Sequence, residues 1–590
     1  MSNSKTNTMG AGLQPDPVRS STGPGEELIF CSQINLHHCK SAVQYINDWM
    51  DNIDATRPKT NFGNQTNKSY KYTSKIALIQ EPYCTHGKIR DFSKNVNIFS
   101  GKPNTNVRSC IITTKNVAAW LLGQFSDEDQ VVIAINSGNK VIVLASTYMP
   151  GDSIEPPPPR NLTKLAKYCE DKNWDLIIGA DANSHHVVWG STDTNNRGEE
   201  LLDYVMTSNL HICNKGNEPT FENVSRKEVL DITLASTNIM NDILHWRVSK
   251  DYTHSDHKRI EFYLKTKHEH INTNFRNVKK TNWSLFEDKL ETRLQTQPEG
   301  VDLETEVSNL QSAIMESFHE SCKLITKIKV ERPPWWEHNL SILRNNERKR
   351  KRRYDRRDTP VRLEEWRIAR NKYNREIKKA KENGWTSFCS GLEDLTAVAK
   401  LQKILKNGKG ATLGTLKKPN GEYTDTPEET LKLLLDVHFP DHGTDRRDDD
   451  ILNTMIDNSD KLDLDSVINI ESVTAAINSF RPYKSPGKDG IFPILLQKGL
   501  KYFDKKLVNI YKESLRTGII PGAWLETKVV FIPKPGKTDY CEPKSFRPIS
   551  LSPFLLKGLE RLIFWHINNT TLKPNPLFIQ GRNINRRCSS

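Results

Sequence analysis

Residues 176–186 read LIIGADANSHH: three apolar residues and a glycine, then an acid, an amide and two imidazoles within seven positions. An unbroken apolar run bounded by turn formers marks a strand covered on both faces. Such a strand has no structural need to end in ionisable groups, so the change of character at Asp181 calls for a reason.

The same change recurs on either side of this stretch. From about Leu28 to Leu264, short β-branched runs alternate with turn signals and a few amphipathic helices, as in IALIQ (76–80), VRSCIITTK (107–115), QVVIAI (130–135), KVIVLASTYM (140–149) and VLDITLAS (229–236). This is the pattern of an α/β or α+β domain with a large sheet core. Polar chemistry follows where these runs end: Asn35, Glu81, Tyr148, Asp181 with Asn183, Asp231, and Ser255-Asp256-His257. Singly, a strand-end Asp or Asn caps a helix or satisfies a turn, and a lone His is usually packed. Six such endings in one region suit a shared site.

Their chemistry converges too. Glu81 and Asp256 are hard oxygen ligands suited to Mg²⁺, which needs only one or two protein carboxylates. His257 is a candidate general base if Asp231 orients its imidazole. Asp181 and Asn183, two apart on an extended segment, point the same way and suit a water and a phosphoryl oxygen. Tyr148 offers a hydroxyl to developing negative charge. Together these groups describe phosphodiester hydrolysis.

The rest of the chain sets the context. Its 590 residues exceed one core. A net charge of +13 favours a polyanionic partner, nucleic acid before membrane. The polar stretch 1–27 is expected to be a disordered tail without the apolar core of a signal peptide, and no apolar run reaches bilayer length. The ten cysteines form no Cys-x-x-Cys pair, so a reducing compartment is the default. Residues 265–464 read as a basic helical connector containing RKRKRR (348–353), either a solvated helix face or a nucleic-acid contact, and a weak nuclear-localisation signal. From 465 to 590, strand, turn and helix signals return. There Gly487 and Gly490 permit a tight loop, and Lys534, Lys537 and Arg547 supply cations for phosphates.

The ordered set Gln33-x-Asn35, Gln80-Glu81-Pro82, Tyr148-x-Pro150, Asp181-x-Asn183, Asp231 and Ser255-Asp256-His257 resembles the exonuclease III and apurinic-endonuclease type of phosphoesterase. More closely, GADANSHHVVWGS, NNRGEELLDYV, PTF and VLDITLAS resemble the endonuclease domain of jockey-type non-LTR retrotransposons. The resemblance spans about 28–264 and implies a four-layer α/β sandwich of the endonuclease/exonuclease/phosphatase type. It further implies that Asn35, Glu81 and Asp256 hold Mg²⁺, with Mn²⁺ as the alternative ion. Asp181 and Asn183 would handle water and phosphate, and Asp231 would orient His257. Gly151 stands where relatives often carry a second proline. Downstream, NSFRPYKSPGKDGIFPILLQKG (478–499) and VVFIPKPGKTDYCEPKSFRPISLSPFLLKGLERLI (529–563) resemble the first fingers motifs of a reverse transcriptase. No Tyr/Phe-x-Asp-Asp occurs, and RRDDDI (446–451) lacks flanking apolar strands. The expectation is therefore an incomplete, inactive fingers/palm region, ending in QGRNINRRCSS (580–590) without the glycine-phenylalanine-arginine pattern usual there.

The expected function is an Mg²⁺-dependent endonuclease that nicks target DNA and leaves a 3′-hydroxyl for retrotransposition. DNA is the partner, element RNA a second one, the nucleus the place of action, and the oligomeric state is open. The alternatives are a non-catalytic nucleic-acid-binding remnant of a truncated element, or a phosphoesterase of the same fold acting on another phosphodiester. Arg226 and Lys227, in ENVSRKEV (222–229), are expected near the tip of a hairpin reading DNA shape. Arg348, Lys349, Lys351 and Arg352 are expected to add affinity without sequence preference.

Overall fold

The structure is a computed structural model that describes residues 27–51, 74–101, 106–223, 225–267, 275–298, 302–325, 335–357, 359–391, 413–440, 463–537 and 539–570. The stretches 1–26, 446–451 and 580–590 read above lie outside the described residues.

The chain first lays down β1 (Glu27–Asn35), β2 (Lys75–Gln80), β3 (Val96–Phe99) and β4 (Ser109–Thr114). A second sheet takes β5 (Ala119–Leu121), β6 (Gln130–Ser137), β7 (Lys140–Tyr148), β8 (Asp175–Asp181), β9 (Leu210–Ile212) and β10 (Asp231–Ser236). Then β11 (Ile243–Val248) and β12 (Ile260–Thr266) return to the first. The spatial orders are β11-β12-β1-β2-β4-β3 and β9-β10-β8-β7-β6-β5.

The two sheets pack face to face. Alternate residues supply the inner layer: Ile29 and Cys31 of β1, Ile76 and Leu78 of β2, Ile142 and Leu144 of β7, and Ile177 of β8. The other set points outward. Phe30, Ile34, Ala77 and Ile79 lie under α1 (Lys40–Asp51), whose Ala42, Val43, Ile46, Trp49 and Met50 recur at helical spacing. Val143, Ala145, Leu176, Ile178 and Ala180 lie under α2 (Arg160–Asp171) and α3 (Asn196–Thr207), the latter begun by an Asn195 cap on the Gly198 amide. The result is a four-layer α/β sandwich. Its strands read as continuous apolar runs because both of their faces are covered.

Near one end the sheets are also stitched by polar groups. Gln33 Nε2 donates to the carbonyls of Ala180 (3.0 Å) and Ile232 (3.2 Å), and Gln80 Nε2 donates to that of Gly179 (2.9 Å). Leaving such an amide unpaired in the core costs about 1–3 kcal/mol. Close approach is the condition for these bonds. A Cβ at Gly179 would lie 2.7 Å from Leu78 Cδ1 and 3.0 Å from the Gln33 amide, so the glycine is required.

The longer helices that follow are α4 (Trp283–Gln295), α5 (Leu303–Ser321), α6 (His338–Arg356), α7 (Pro360–Ser390), α8 (Pro427–His438), α9 (Ile470–Asn478), α10 (Pro493–Thr517) and α11 (Phe554–Thr570). Residues read together as a connector have three different packing partners. Phe286 and Leu290 of α4 and Leu310, Ile314 and Phe318 of α5 share a core with α9, α10 and α11. The α6–α7 hairpin leans on the sandwich, with Arg344 paired to Asp48 at 2.7 Å. Residues 413–425 run along the edge of the second sheet: Gly414 bridges Leu121 in parallel, the Thr415 amide donates to the Leu121 carbonyl (2.9 Å), and Lys172 pairs with Asp425 (2.7 Å). Beside them lies the ribbon of β13 (Lys528–Pro533) and β14 (Phe546–Leu551), whose Phe531 and Phe546 pack with Leu434 of α8. No described helix is long and apolar enough to cross a membrane.

Candidate active site

Strand register delivers the polar residues to one place. The parallel pairing of β7 with β8 sets Tyr148 opposite Asp181, and the antiparallel pairing of β8 with β10 sets Asp231 opposite Asp181. In the other sheet, β1 and β2 set Asn35 opposite Gln80, so Glu81 follows directly. The loop between β11 and β12 carries Ser255, Asp256 and His257, and the Ser255 hydroxyl donates to the Asn35 carbonyl at 2.9 Å.

Asp181, Asp231 and His257 form the buried floor, with carboxylate and ring atoms within 4.8 Å of one another. His257 Nδ1 meets Asp231 Oδ2 at 2.8 Å, while its Nε2 faces Asp181 Oδ2 at 3.9 Å, beyond hydrogen-bond range. Asn35 Nδ2 donates to that same Asp181 oxygen at 2.7 Å. The edge of Phe221 closes on the His257 ring at 5.0 Å, and the Thr220 hydroxyl accepts from the Leu230 and Asp231 amides at 3.0 Å. Asn183 sits beyond the floor, its amide nitrogen donating to the Met149 carbonyl (3.1 Å). A Cβ at Gly151 would lie 3.6 Å from Asn183 Cβ, an ordinary contact, so this glycine is not enforced by crowding.

The floor is electrostatically polarised. Burial disfavours the imidazolium of His257, but Asp231 and Asp181 outweigh it and raise its pKa. Burial, with Asp231 adding to it, raises the Asp181 pKa against the opposing pull of His257 and Asn35. Burial and the adjacent Glu81 and Asp181 likewise push the Tyr148 phenol up, keeping it a proton donor. Asp231 Oδ1 is buried without a hydrogen-bond partner.

Glu81 and Asp256 line the first sheet's side of the cleft. His37 Nδ1 meets Asp256 Oδ2 at 2.8 Å, His38 Nε2 stands 3.8 Å from Glu81 Oε1, and the His37 amide donates to Asn35 Oδ1 at 2.7 Å. Glu81, Asn183, His37 and His38 all have φ between 43° and 50°, the left-handed region, which costs non-glycine residues on the order of 1–3 kcal/mol. Such strain collects at functional sites. The donor set of two carboxylates and an amide oxygen fits a hard divalent cation. Neither Glu81 nor Asp256 belongs to a group of three or more His, Cys, Asp or Glu side chains in mutual reach among the described residues.

Sequence reading missed His37 and His38, although LHH directly after the strand end was the available signal. It also missed Arg108, whose guanidinium lies 5.6 Å from the Tyr148 ring centre and pairs with Asp129 at 2.5 Å. Thr220 and Phe221 had shown only as the motif PTF.

The expected DNA-contacting cations are placed as follows. Phe221–Glu222 and Lys227–Glu228 pair as a hairpin, and the Glu222 amide bonds the Asp256 carbonyl at 2.8 Å, so the hairpin stands on the site. Arg226 stands at its turn with a half-exposed side chain, whose Nη2 lies 3.0 Å from His185 Nδ1 and whose Nε lies 3.6 Å from Glu228. Lys227 pairs with Glu222 at 3.3 Å. On α6, Lys349 and Arg352 are exposed and Arg348 is half-buried, while Lys351 lies 4.4 Å from the Trp366 ring centre. Lys534 and Lys537 follow β13 in the turn toward β14, which carries Arg547; Lys534 Nζ donates to the Lys544 carbonyl at 2.8 Å.

Residues 142–261 match the family described as endonuclease-reverse transcriptase. The match includes Tyr148, Asp181, Asn183, Asp231 and Ser255 to His257, and leaves out Asn35 and Glu81. The chain is 24% identical over 525 residues to the 115 kDa protein of the type-1 retrotransposable element R1DM of Drosophila melanogaster, covering 83% of this chain and 49% of that protein. It is 22% identical over 415 residues to the RNA-directed DNA polymerase of the mobile element jockey of the same species, covering 66% and 44%. The chain thus spans about half the length of the curated relatives it matches. Among solved structures, the endonuclease domain of TRAS1, a telomere-specific non-LTR retrotransposon, aligns with 40% of this chain and 98% of its own, at 24% identity and a TM-score of 0.31.

Proposed function

We propose that this chain, a relative of the R1- and jockey-type non-LTR retrotransposon proteins with an endonuclease of their kind, nicks double-stranded DNA in a divalent-cation-dependent reaction that leaves a 3′-hydroxyl. One observation carries the reading: His257 is locked by Asp231 through Nδ1 and turns Nε2 toward Asp181 across 3.9 Å. A water oxygen attacks phosphorus, the bond from phosphorus to the 3′-oxygen breaks, the water's proton passes to the protein, and the departing 3′-oxygen takes up a proton from solvent to become the hydroxyl. Asp181, with its raised pKa, suits the acceptor, and an imidazolium at His257 suits the charge growing on the phosphoryl oxygens. This divides the work that the sequence alone assigned to His257 as base. Tyr148 donates to the same phosphate, and Asn183 fixes its position.

Glu81, Asp256 and the Asn35 amide oxygen would hold Mg²⁺ or Mn²⁺. The ion would supply positive charge against the scissile phosphate. DNA passing over the cleft extends to the exposed cations of α6, and element RNA is a second polyanion for the same charge. A DNA substrate places the chain in the nucleus. Polymerisation is not proposed for these 590 residues, which contain no Tyr/Phe-x-Asp-Asp.

Supercoiled plasmid incubated with Mg²⁺, with Mn²⁺ and with chelator tests the reading. Nicked circles whose ends a DNA polymerase extends are expected with either ion and none with chelator. Salt-sensitive binding without nicking would leave a non-catalytic binder, and hydrolysis of a phosphoinositide in place of plasmid would move the substrate class. Neutralising Lys349, Arg352 and Arg353 should lower the salt slope of binding by roughly 0.9 per lost phosphate contact while leaving nick positions unchanged.

A further inference from the structure

The loop that brings Asp256 and His257 to the cleft is held from both sides. On the cleft side, the Ser255 hydroxyl bonds the Asn35 carbonyl (2.9 Å) and the Glu222 amide bonds the Asp256 carbonyl (2.8 Å). On the far side, the preceding residues meet α7. Tyr252 meets the edge of Trp366 on α7, with ring centres 5.0 Å apart at 87°, and His254 lies 6.2 Å from Tyr373, also on α7. His254 is in the left-handed region at φ 66°, a conformation that needs outside support in a residue other than glycine.

Trp366 is itself fixed. Its Nε1 donates to Glu347 of α6 at 2.8 Å, Tyr354 stacks parallel to it at 6.0 Å and 10°, and Lys351 caps its ring at 4.4 Å. Arg370 lies 5.5 Å from the ring centres of both Trp366 and Tyr252, so one guanidinium spans the junction. Cation and ring contacts of this sort strengthen when shielded from water. From Tyr252 the connection to the site is short. The Thr253 hydroxyl donates to the His257 carbonyl at 2.6 Å and accepts from the Ser255 amide at 3.3 Å.

We infer that the α6–α7 hairpin is a working part of the nuclease: Trp366, Arg370 and Lys351 clasp Tyr252 and thereby hold the 252–257 loop in the geometry that presents Asp256 and His257. These are positioning residues, and their effect on rate rests on the endonuclease reading above. The basic run 348–353 is then divided by position: Lys351 is turned inward to the clasp, and Lys349 and Arg352 are left to solvent.

The test uses the full chain with Trp366→Ala, Trp366→Phe and Tyr252→Leu. Tyr252→Leu breaks the clasp from the nuclease side and leaves the Glu347 and Tyr354 contacts of Trp366 in place. Hydrogen exchange at the amides of Thr253 to Lys258 should speed up about 10-fold or more in Trp366→Ala and Tyr252→Leu and stay near wild type in Trp366→Phe, following the local opening of the loop. Plasmid nicking should lose kcat about 10- to 10²-fold, the scale of a displacement near 1 Å, with KM for DNA within about 2-fold of wild type. Unchanged loop exchange in both disruptive variants overturns the clasp, and faster exchange with unchanged kcat overturns its role in positioning. If wild type does not nick, the endonuclease reading falls, and the exchange comparison alone decides whether the clasp holds the loop.

Discussion

Asp181, Asp231 and His257 bring their charged atoms within 4.8 Å of one another, and so do His185, Asp193 and Glu228 in the next loops. The two clusters have the same chemical inventory and opposite surroundings. In the first, His257 Nε2 has only a 3.9 Å neighbour in Asp181 and Asp231 Oδ1 has no partner, so two reactive atoms are left over. In the second, the capacity is used up: Arg226 lies against His185, His185 meets Asp193 at 2.7 Å, and the hydroxyl and amide of Thr192 both bond Glu228. The first stores unmet polar capacity, while the second spends it fastening the hairpin to the loop that follows Asn183. A count of acids and histidines does not separate them; the satisfaction of each atom does.

The strongest way to break this contrast is His257→Ala, beside Glu81→Ala. Nicking should fall by about 10²–10⁴-fold, the usual share of a proton-transfer or charge-stabilising group, with the circular dichroism spectrum unchanged. His185→Ala should stay within a few-fold of wild type. Equal losses at His185 and His257 would mean that the clusters had been assigned the wrong way round.

A smaller effect is expected at the rim. Tyr148→Phe removes one hydroxyl, worth about 1 kcal/mol, so the rate should drop roughly 5- to 10-fold without loss of DNA binding. A drop as large as that of His257→Ala would place Tyr148 in the proton path.

For the second cluster, Arg226→Ala removes a half-exposed guanidinium. It should cost about 0.5–1 kcal/mol in chemical denaturation, and mapped 3′ ends should spread along a long duplex as the hairpin loosens. Retained stability with a sharp, unchanged nick pattern would show the latch to be idle.

Glu228→Gln adds a pH signature. Burial pushes this carboxyl up, but Thr192, His185 and Arg226 outweigh it, so its pKa in the folded chain lies below the usual glutamate range. A depressed carboxylate stabilises fully above its unfolded value of about 4.3 and loses that contribution as pH falls through the folded value. The stability gap between wild type and Glu228→Gln should therefore be largest near neutrality and close in acid, and a gap independent of pH would contradict the assignment.

The sandwich was legible in the sequence because strands buried on both faces announce themselves by composition alone. Asp181 and Asp231 stood out because they end such runs, and register then sets them side by side. The imidazoles of His37 and His38 were overlooked because a turn just past a strand end gives no periodic signal. The clasp of Tyr252 with Trp366 joins residues more than a hundred positions apart, and no local pattern reports such a meeting. Helices α4 to α7 were visible as amphipathic or charged spacing, but an apolar stripe shows that a helix has a partner without saying which. Phe286 and Leu310 belong to the core of α10, while Trp366 faces the nuclease.

Residues 413–416, seated along β5, have a practical bearing on how this molecule can be divided. A fragment ending where β12 ends would keep every cleft residue yet bare the amides and carbonyls of an outer strand that the intact chain keeps occupied. Unoccupied strands of that kind recruit one another. Handling of the excised nuclease in solution would register that loss, separately from the fall in rate expected without α6 and α7, and supplying residues 413–425 as a separate peptide should remedy the first and leave the second.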